Sequence, residues 1–129
     1  MKKTRVKAMD CEVTIFSTAD DGIKTASRGA LKENENGFKL SYVLDGDASE
    51  IIYDGNCLTQ TRAGGTRLKI EFIEKAHTEC VIECAGNKGF LPVFTKMLRV
   101  LNAPDGKRIK IAYDLGGMNI ELEISALKI

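Results

Sequence analysis

The sequence predicts an all-β protein, a single antiparallel up-and-down barrel of about eight to ten strands that forms one domain over residues 1–129. Runs of alternating apolar and polar residues recur, with turn-forming glycines between them. Glycine is frequent, at 12 residues, while proline is scarce, at 2. Two Gly-Gly pairs lie between β-rich runs, as in hairpin turns. We expect closure into a barrel, because closure removes the exposed edges that an open sheet must protect.

The N-terminal half reads as four strands. In the run at residues 4–16 the apolar parity changes, which indicates a bulge or bend at Met9-Asp10. The run at residues 23–32 is rich in small residues, as in an edge strand or a tight barrel corner. Residues 38–44 and 49–53 predict two further strands, and each is followed by an Asp-Gly turn, at Asp45-Gly46-Asp47 and at Asp54-Gly55.

The segment at residues 56–73 predicts a hairpin centred on Gly64-Gly65, since both central positions of a type I′ turn need positive φ. Counting outward places Arg62 opposite Arg67. The apolar face then carries Cys57, Thr59, Thr61, Leu68, Ile70 and Phe72. In this register Arg62 points outward and Leu58 is misplaced on the polar face. A shift of one residue would turn Arg62 into the barrel.

The C-terminal half predicts a strand at residues 77–84 and a second Gly-Gly hairpin. With Gly116-Gly117 as its turn, Tyr113 pairs with Ile120 and Lys110 pairs with Glu123. The pattern of residues 90–102 does not decide between a helix and a strand. Their leucines and Phe94 fit a helical period, whereas the β-branched residues favour a strand.

Composition excludes several classes of protein. The net charge is +1, from 19 basic and 18 acidic residues, so we expect neither a nucleic-acid partner nor a polybasic membrane contact. The basic N-terminus lacks the apolar core of a signal peptide, and no apolar run approaches a membrane span. A cytoplasmic protein is therefore expected, and its four cysteines are expected to be free thiols.

Three stretches resemble the bacterial YwiB-like family of uncharacterised, calycin-like β-barrel proteins. They are Arg62-Ala63-Gly64 followed by Phe72, GFLPVFT at residues 89–95, and IKIAYDL at residues 109–115. Their order and approximate spacing are similar to the family's across residues 38–129. The resemblance implies a lipocalin-type barrel and a strand at residues 90–101. It implies no activity, because the family has none assigned, and analogy to ligand-carrying calycins is an association of folds only.

The chemistry-bearing residues offer no catalytic or metal constellation. His77 is the only histidine, and its strand parity places it on the exposed face. Cys80 and Cys84 share a strand face but lie about 13 Å apart at roughly 3.3 Å per residue, too far for two ligands of one zinc ion. The sequence therefore predicts no enzyme, no metal and no cofactor.

The best functional expectation is a non-enzymatic barrel that binds a small apolar or amphipathic ligand in its interior. Arg62, Tyr42, Thr95 and Tyr113 are the candidate ligand-binding residues. The alternative interpretation of Arg62 is a structural one, a solvated or salt-bridged arginine with Glu71 or another acidic side chain as its partner. The alternative function is a protein-interaction or self-assembly module with a filled barrel, for example a homodimer.

Overall fold

The computed structural model describes residues 7–20 and 24–129, which form a closed barrel of ten antiparallel strands. Each strand pairs with the next in sequence, and β1 closes the barrel against β10. The up-and-down barrel predicted from the sequence is thus confirmed. The strands are β1 (Lys7–Ser17), β2 (Lys24–Glu33), β3 (Phe38–Leu44), β4 (Asp47–Tyr53), β5 (Cys57–Ala63), β6 (Thr66–Ile73), β7 (His77–Cys84), β8 (Asn87–Ala103), β9 (Gly106–Leu115) and β10 (Met118–Lys128).

The two ends of the barrel differ in their connections. The tight turns that join β3 to β4, β5 to β6, β7 to β8 and β9 to β10 meet at one end, which we call the glycine-turn end. A short 3₁₀ turn, Thr18–Asp20, follows β1 at the same end. The other end, the loop end, carries the remaining connections. No helix in the described ranges is long and apolar enough to cross a membrane.

The first strand runs without the bulge that the parity change predicted. β1 pairs with β2 in one unbroken register from Lys7 opposite Glu33 to Phe16 opposite Lys24. The prediction failed because Met9, and not Ala8, continues the inward row: Met9 packs against the core, while Ala8 is exposed. Residues 4–6 and 23, which the predicted strands included, lie outside the described residues.

The two Gly-Gly hairpins behave differently. Gly116 and Gly117 both have positive φ, at 55° and 90°, and the predicted pairs of Tyr113 with Ile120 and Lys110 with Glu123 are confirmed. Gly64 and Gly65 do not have positive φ, so the predicted type I′ turn is wrong there.

The register of the β5–β6 hairpin is displaced by one residue from the prediction. Arg62 lies opposite Leu68, not opposite Arg67, and Leu58 lies opposite Phe72. The physical reason is burial, because this register takes Leu58 to 0% exposure inside the barrel, where the predicted one left it in solvent. The predicted faces were therefore right for β6 and inverted for β5.

The ambiguous segment is a strand. β8 spans 17 residues, Asn87–Ala103, and pairs with β7 along its first half and with β9 along its second. A bulge at residues 95–97 lets the long strand bend where it changes partners. The leucines of this segment also fit a helical period, but a helix here would leave the backbone groups of β7 and β9 without their hydrogen-bond partners. The segment therefore forms a strand.

The core fills the middle of the barrel with apolar side chains. The largest fully buried ones include Phe38, Phe72, Leu40, Ile51 and Leu58. At about 25 cal/mol per Å² of apolar surface removed from water, such burial is the main stabilising contribution to a barrel of this size.

Candidate functional site

The middle and the loop end of the barrel are occupied by contacts across the interior. Phe72 on β6 and Tyr113 on β9 meet edge to face, with ring centroids 4.7 Å apart, although three strand steps separate them around the wall. At the loop end, Lys107 Nζ on β9 lies 2.6 Å from Glu33 Oε1 on β2 and 5.8 Å from the centre of the Phe38 ring. Lys107 also donates to Asn102 Oδ1. These contacts fill the middle of the barrel, and a concavity beside Met9 and Leu31 remains at the loop end.

Exposure rises along the inward-facing rows toward the glycine-turn end. On β8, Thr95 and Val93 are 0% and 1% exposed, whereas Leu91 is 36% exposed although it has the same parity. On β6 and β7 the inward side chains likewise change from buried Ile70 and Cys80 to half-buried Leu68 and Ile82. The wall at Gly89 carries no side chain, and a Cβ there would meet nothing closer than 4.0 Å. The inward-facing rows are therefore partly exposed to solvent at this end, which we call the mouth.

One side of this mouth is polar. The observed register turns Arg62 inward, in the same row as Leu58 and Gln60, and places it beside Ser49 of β4. Ser49 in turn lies opposite Tyr42 of β3, and both are nearly buried, at 6% and 4% exposure.

The Tyr42 phenol is held by its polar neighbours. Burial raises the pKa of Tyr42, while hydrogen bonds from Gln60 and Ser49 and the charge of Arg62 act in the opposite direction. Because burial is the largest of these effects, Tyr42 stays a neutral phenol at physiological pH. It offers a donor and an acceptor rather than a negative charge.

Arg62 has an acidic partner, Asp47, whose Oδ2 accepts a hydrogen bond from Arg62 Nε at 2.9 Å. The predicted Glu71 does not fill this role, since it lies on the opposite face of the hairpin. The prediction that Arg62 points outward is wrong, and the inward orientation is the one that a one-residue shift would give. The Arg62 side chain remains 38% exposed, so it lines the mouth and is not sealed in the core.

The adjoining wall of the mouth is apolar, and it begins at Leu68, which pairs directly with Arg62. Leu68, Ile82 and Leu91 come from β6, β7 and β8, and Gly89 lies among them. The mouth is consequently amphipathic, with a guanidinium, a phenol and an amide on β3 and β5 and aliphatic side chains on the adjoining strands β6 to β8.

The four predicted site residues fall into two groups. Tyr42 and Arg62 lie together in the polar wall of the mouth. Thr95 and Tyr113 lie opposite one another on β8 and β9, deep in the filled interior, at 0% and 8% exposure. Sequence reasoning missed Asp47, Ser49 and Gln60, because their place beside Arg62 depends on a register that the Gly-Gly signal misassigned.

Other chemistry-bearing residues stay apart. His77 is exposed, as predicted, and its ring lies against Phe94 with centroids 4.7 Å apart. Within residues 7–20 and 24–129, no group of three or more His, Cys, Asp or Glu side chains could hold a metal ion. Cys80 is buried and Cys84 is exposed at the end of the same strand.

The chain matches one protein-family model over most of its length. Residues 11–129 match the model of a family described as a domain of unknown function, DUF1934. The chain belongs to the DUF1934 family. No match was found among curated proteins.

A solved structure shares the fold of this DUF1934 barrel. The crystal structure of the YwiB protein from Bacillus subtilis is similar, with a TM-score of 0.78 and 20% sequence identity. The alignment covers 98% of this chain and 95% of YwiB. The family resemblance seen in the sequence is thus confirmed. At this identity the likeness shows the fold alone.

Proposed function

We propose that this DUF1934 barrel is a non-enzymatic, lipocalin-like binding protein of the bacterial cytoplasm. Its ligand is a small amphipathic molecule that enters the interior at the glycine-turn end. The observation that carries the proposal is the inward Arg62, which lies near Tyr42 and adjoins the aliphatic wall that begins at Leu68. Small-molecule sites in proteins are mostly apolar concavities with a few convergent polar groups, and this mouth has that composition.

The polar wall defines the head group of the ligand. The bond to Asp47 uses Arg62 Nε–H, one of five guanidinium donors, and the Nη groups are the donors that an anionic or strongly polar head would use. The neutral Tyr42 phenol and Gln60 add donors and acceptors beside it. Together they suit a carboxylate or phosphate better than a cation.

The apolar wall limits the length of the tail. Leu68, Ile82 and Leu91 provide the aliphatic surface, and the contact between Phe72 and Tyr113 closes the interior below them. A ligand therefore occupies the mouth and not the full length of the barrel, which favours a short alkyl or small-ring tail.

Binding of a short fatty carboxylate tests this proposal. Octanoate is titrated into isotopically labelled protein, and backbone amide shifts are followed by NMR. We expect shifts in β3, β5, β6 and β8 around the mouth. Replacing Arg62 by methionine preserves the length of the side chain and removes the charge, so it should weaken binding about tenfold.

Arg67→Met is the matched control. Arg67 is in the same hairpin but faces outward opposite Glu83, so its loss should leave the affinity unchanged. Asp47→Asn removes the competing carboxylate and should strengthen binding of the anion. Equal effects of the two arginine variants, or shifts confined to the outer wall, would contradict the proposal. Native mass spectrometry of the purified protein then reports any retained ligand.

A further inference from the structure

The first part of β8 forms an open sheet edge. In the described chain, residues 87–92 of β8 pair with β7, whereas the ladder with β9 begins only at Val93 opposite Leu115. The β7–β8 hairpin therefore projects past the β9–β10 turn, and one side of its second strand has no neighbouring strand among residues 7–20 and 24–129.

The hydrogen-bonding groups at this edge can be assigned. Gly116 N donates to Pro92 O at 2.9 Å, so the Pro92 carbonyl faces the β9 side. Because alternate residues of an antiparallel strand direct their backbone groups to the same side, Lys88 and Phe90 direct their N–H and C=O groups to the open edge. Pro92 has no N–H, so the edge offers two donors and two acceptors and ends at this proline.

The side chains at the edge are unusually apolar for an exposed strand. Phe90 is 55% exposed and Leu91 is 36% exposed, and Met118 of the adjacent turn is 56% exposed. Natural proteins protect open edges with charges, prolines or bulges. Here the single charge, Lys88, has its Nζ 3.9 Å from Glu83 of the same hairpin.

We propose that this edge binds a second copy of the chain, with the two β8 strands antiparallel about a two-fold axis at Gly89. In this register Lys88 of each copy lies opposite Phe90 of the other. All four edge groups of each strand are then paired, giving four hydrogen bonds in total. Gly89 meets its own copy in a non-hydrogen-bonded pair, where the absence of a side chain allows close approach.

The side chains favour this register over its neighbours. Each Lys88 ammonium lies beside a Phe90 ring, a favourable cation–π pair that also covers the exposed ring. Centring the axis on Lys88 instead would place two like charges directly opposite, which is destabilising. Centring it on Phe90 would pair Lys88 with Pro92, which lacks the N–H needed for the ladder.

The neighbouring turns leave room for the second copy. In the proposed register the Ala85-Gly86 turn of one copy approaches the Gly116-Gly117 turn of the other. Gly86 and Gly117 carry no side chain, and a Cβ at either would meet no described atom within 4 Å, so both turn positions are open to the approaching copy. Five-residue strands make a small interface, and the dimer therefore belongs to the weak, concentration-dependent class.

Cysteine cross-linking at the axis tests the register. Gly89→Cys is made together with Cys84→Ser, which removes the exposed thiol. Directly opposite Cβ atoms in a non-hydrogen-bonded pair are close enough for a disulfide after a small adjustment. Under mild oxidation we expect a covalent dimer from this variant.

Gly65→Cys in the same background is the matched control, because Gly65 is equally open and also lacks positive φ. It should stay monomeric under the same oxidation. Equal cross-linking of the two variants, or none, would overturn the proposal. Cross-linking of position 89 to a different polypeptide in a cell extract, without a homodimer of the pure protein, would also overturn it.

Phe90→Pro tests the backbone pairing by analytical ultracentrifugation across a wide concentration range. The Phe90 N–H faces the open edge, so proline removes an edge donor and leaves the β7 ladder intact. We expect the dissociation constant of the dimer to rise about tenfold or more, with the monomer still folded by circular dichroism. A wild-type protein that stays monomeric at every concentration would refute the dimer outright.

Discussion

Asp47 and Arg62 form an ion pair that also accounts for a glycine. Asp47 Oδ2 lies 2.9 Å from Arg62 Nε, and its other oxygen, Oδ1, would lie 1.9 Å from a Cβ at position 64. Gly64 therefore leaves room for the close approach of a carboxylate and does not adopt a left-handed turn conformation. The pair connects the β3–β4 turn to the β5–β6 turn and fixes the guanidinium at the barrel mouth.

Gly64→Ala should destabilise the protein by about 1 kcal/mol, since the new methyl group displaces Asp47 and breaks a half-exposed ion pair. Equilibrium unfolding in urea measures the change. Gly65→Ala is the control, because a Cβ there meets nothing within 4 Å and the lower entropy of the unfolded chain should make it neutral or slightly stabilising. If the penalty at position 64 persists in an Asp47→Ala background, the carboxylate is not its cause.

Glu33→Ala should lower the free energy of unfolding by about 1 to 2 kcal/mol, because it removes the carboxylate partner of a largely buried ammonium group. The side chain of Lys107 is only 13% exposed. Glu123→Ala is the matched control, as its partner Lys110 is 51% exposed and such surface pairs contribute about 0.5 kcal/mol. Similar losses for both variants in chemical denaturation would mean that Lys107 does not depend on Glu33.

Thr95→Val should stabilise the protein by about 1 kcal/mol. The Thr95 hydroxyl is buried without a hydrogen-bond partner among the described residues, so a methyl group of the same shape removes an uncompensated desolvation cost. Thr95→Ser keeps the hydroxyl, loses a buried methyl group and should be less stable by about 1 kcal/mol. A less stable valine variant would show that the hydroxyl is bonded, for example to a buried water molecule.

Stability should fall at alkaline pH because of the buried thiol of Cys80. Burial raises the pKa of Cys80, so above about pH 8.5, where a free thiol ionises, the folded state keeps a proton that the unfolded state has lost. The free energy of unfolding then decreases as pH rises. Cys80→Ala removes this titration, so its difference from wild type should shrink between about pH 8 and pH 10.

Val93→Ala is the control for that series. Val93 is also buried, at 1% exposure, but it does not titrate. Its destabilisation should therefore be the same at every pH at which the protein folds. A constant difference for Cys80→Ala as well would show that the thiol carries no pH-dependent stability.

The sequence by itself determined the all-β class, most strand positions and the family. Alternation and turn glycines are local signals, and at Gly116-Gly117 they were sufficient, because positive φ at both residues leaves one tight turn and hence one register. Only the tertiary structure decided the register at Gly64-Gly65. There the burial of Leu58 opposite Phe72 and the contact between Asp47 and Gly64 outweigh the turn signal.

The same reason applies to β8 and to the candidate site. The pattern of residues 90–102 fits a helical and a strand period, and hydrogen bonding to β7 and β9 makes the segment a strand. The polar wall of the mouth joins Tyr42, Ser49, Gln60 and Arg62 through pairings between three strands, and a shift of one residue on β5 would reverse which side chains enter the barrel. Local sequence defines the strands here, but the faces of β5 follow from burial and packing around the closed sheet.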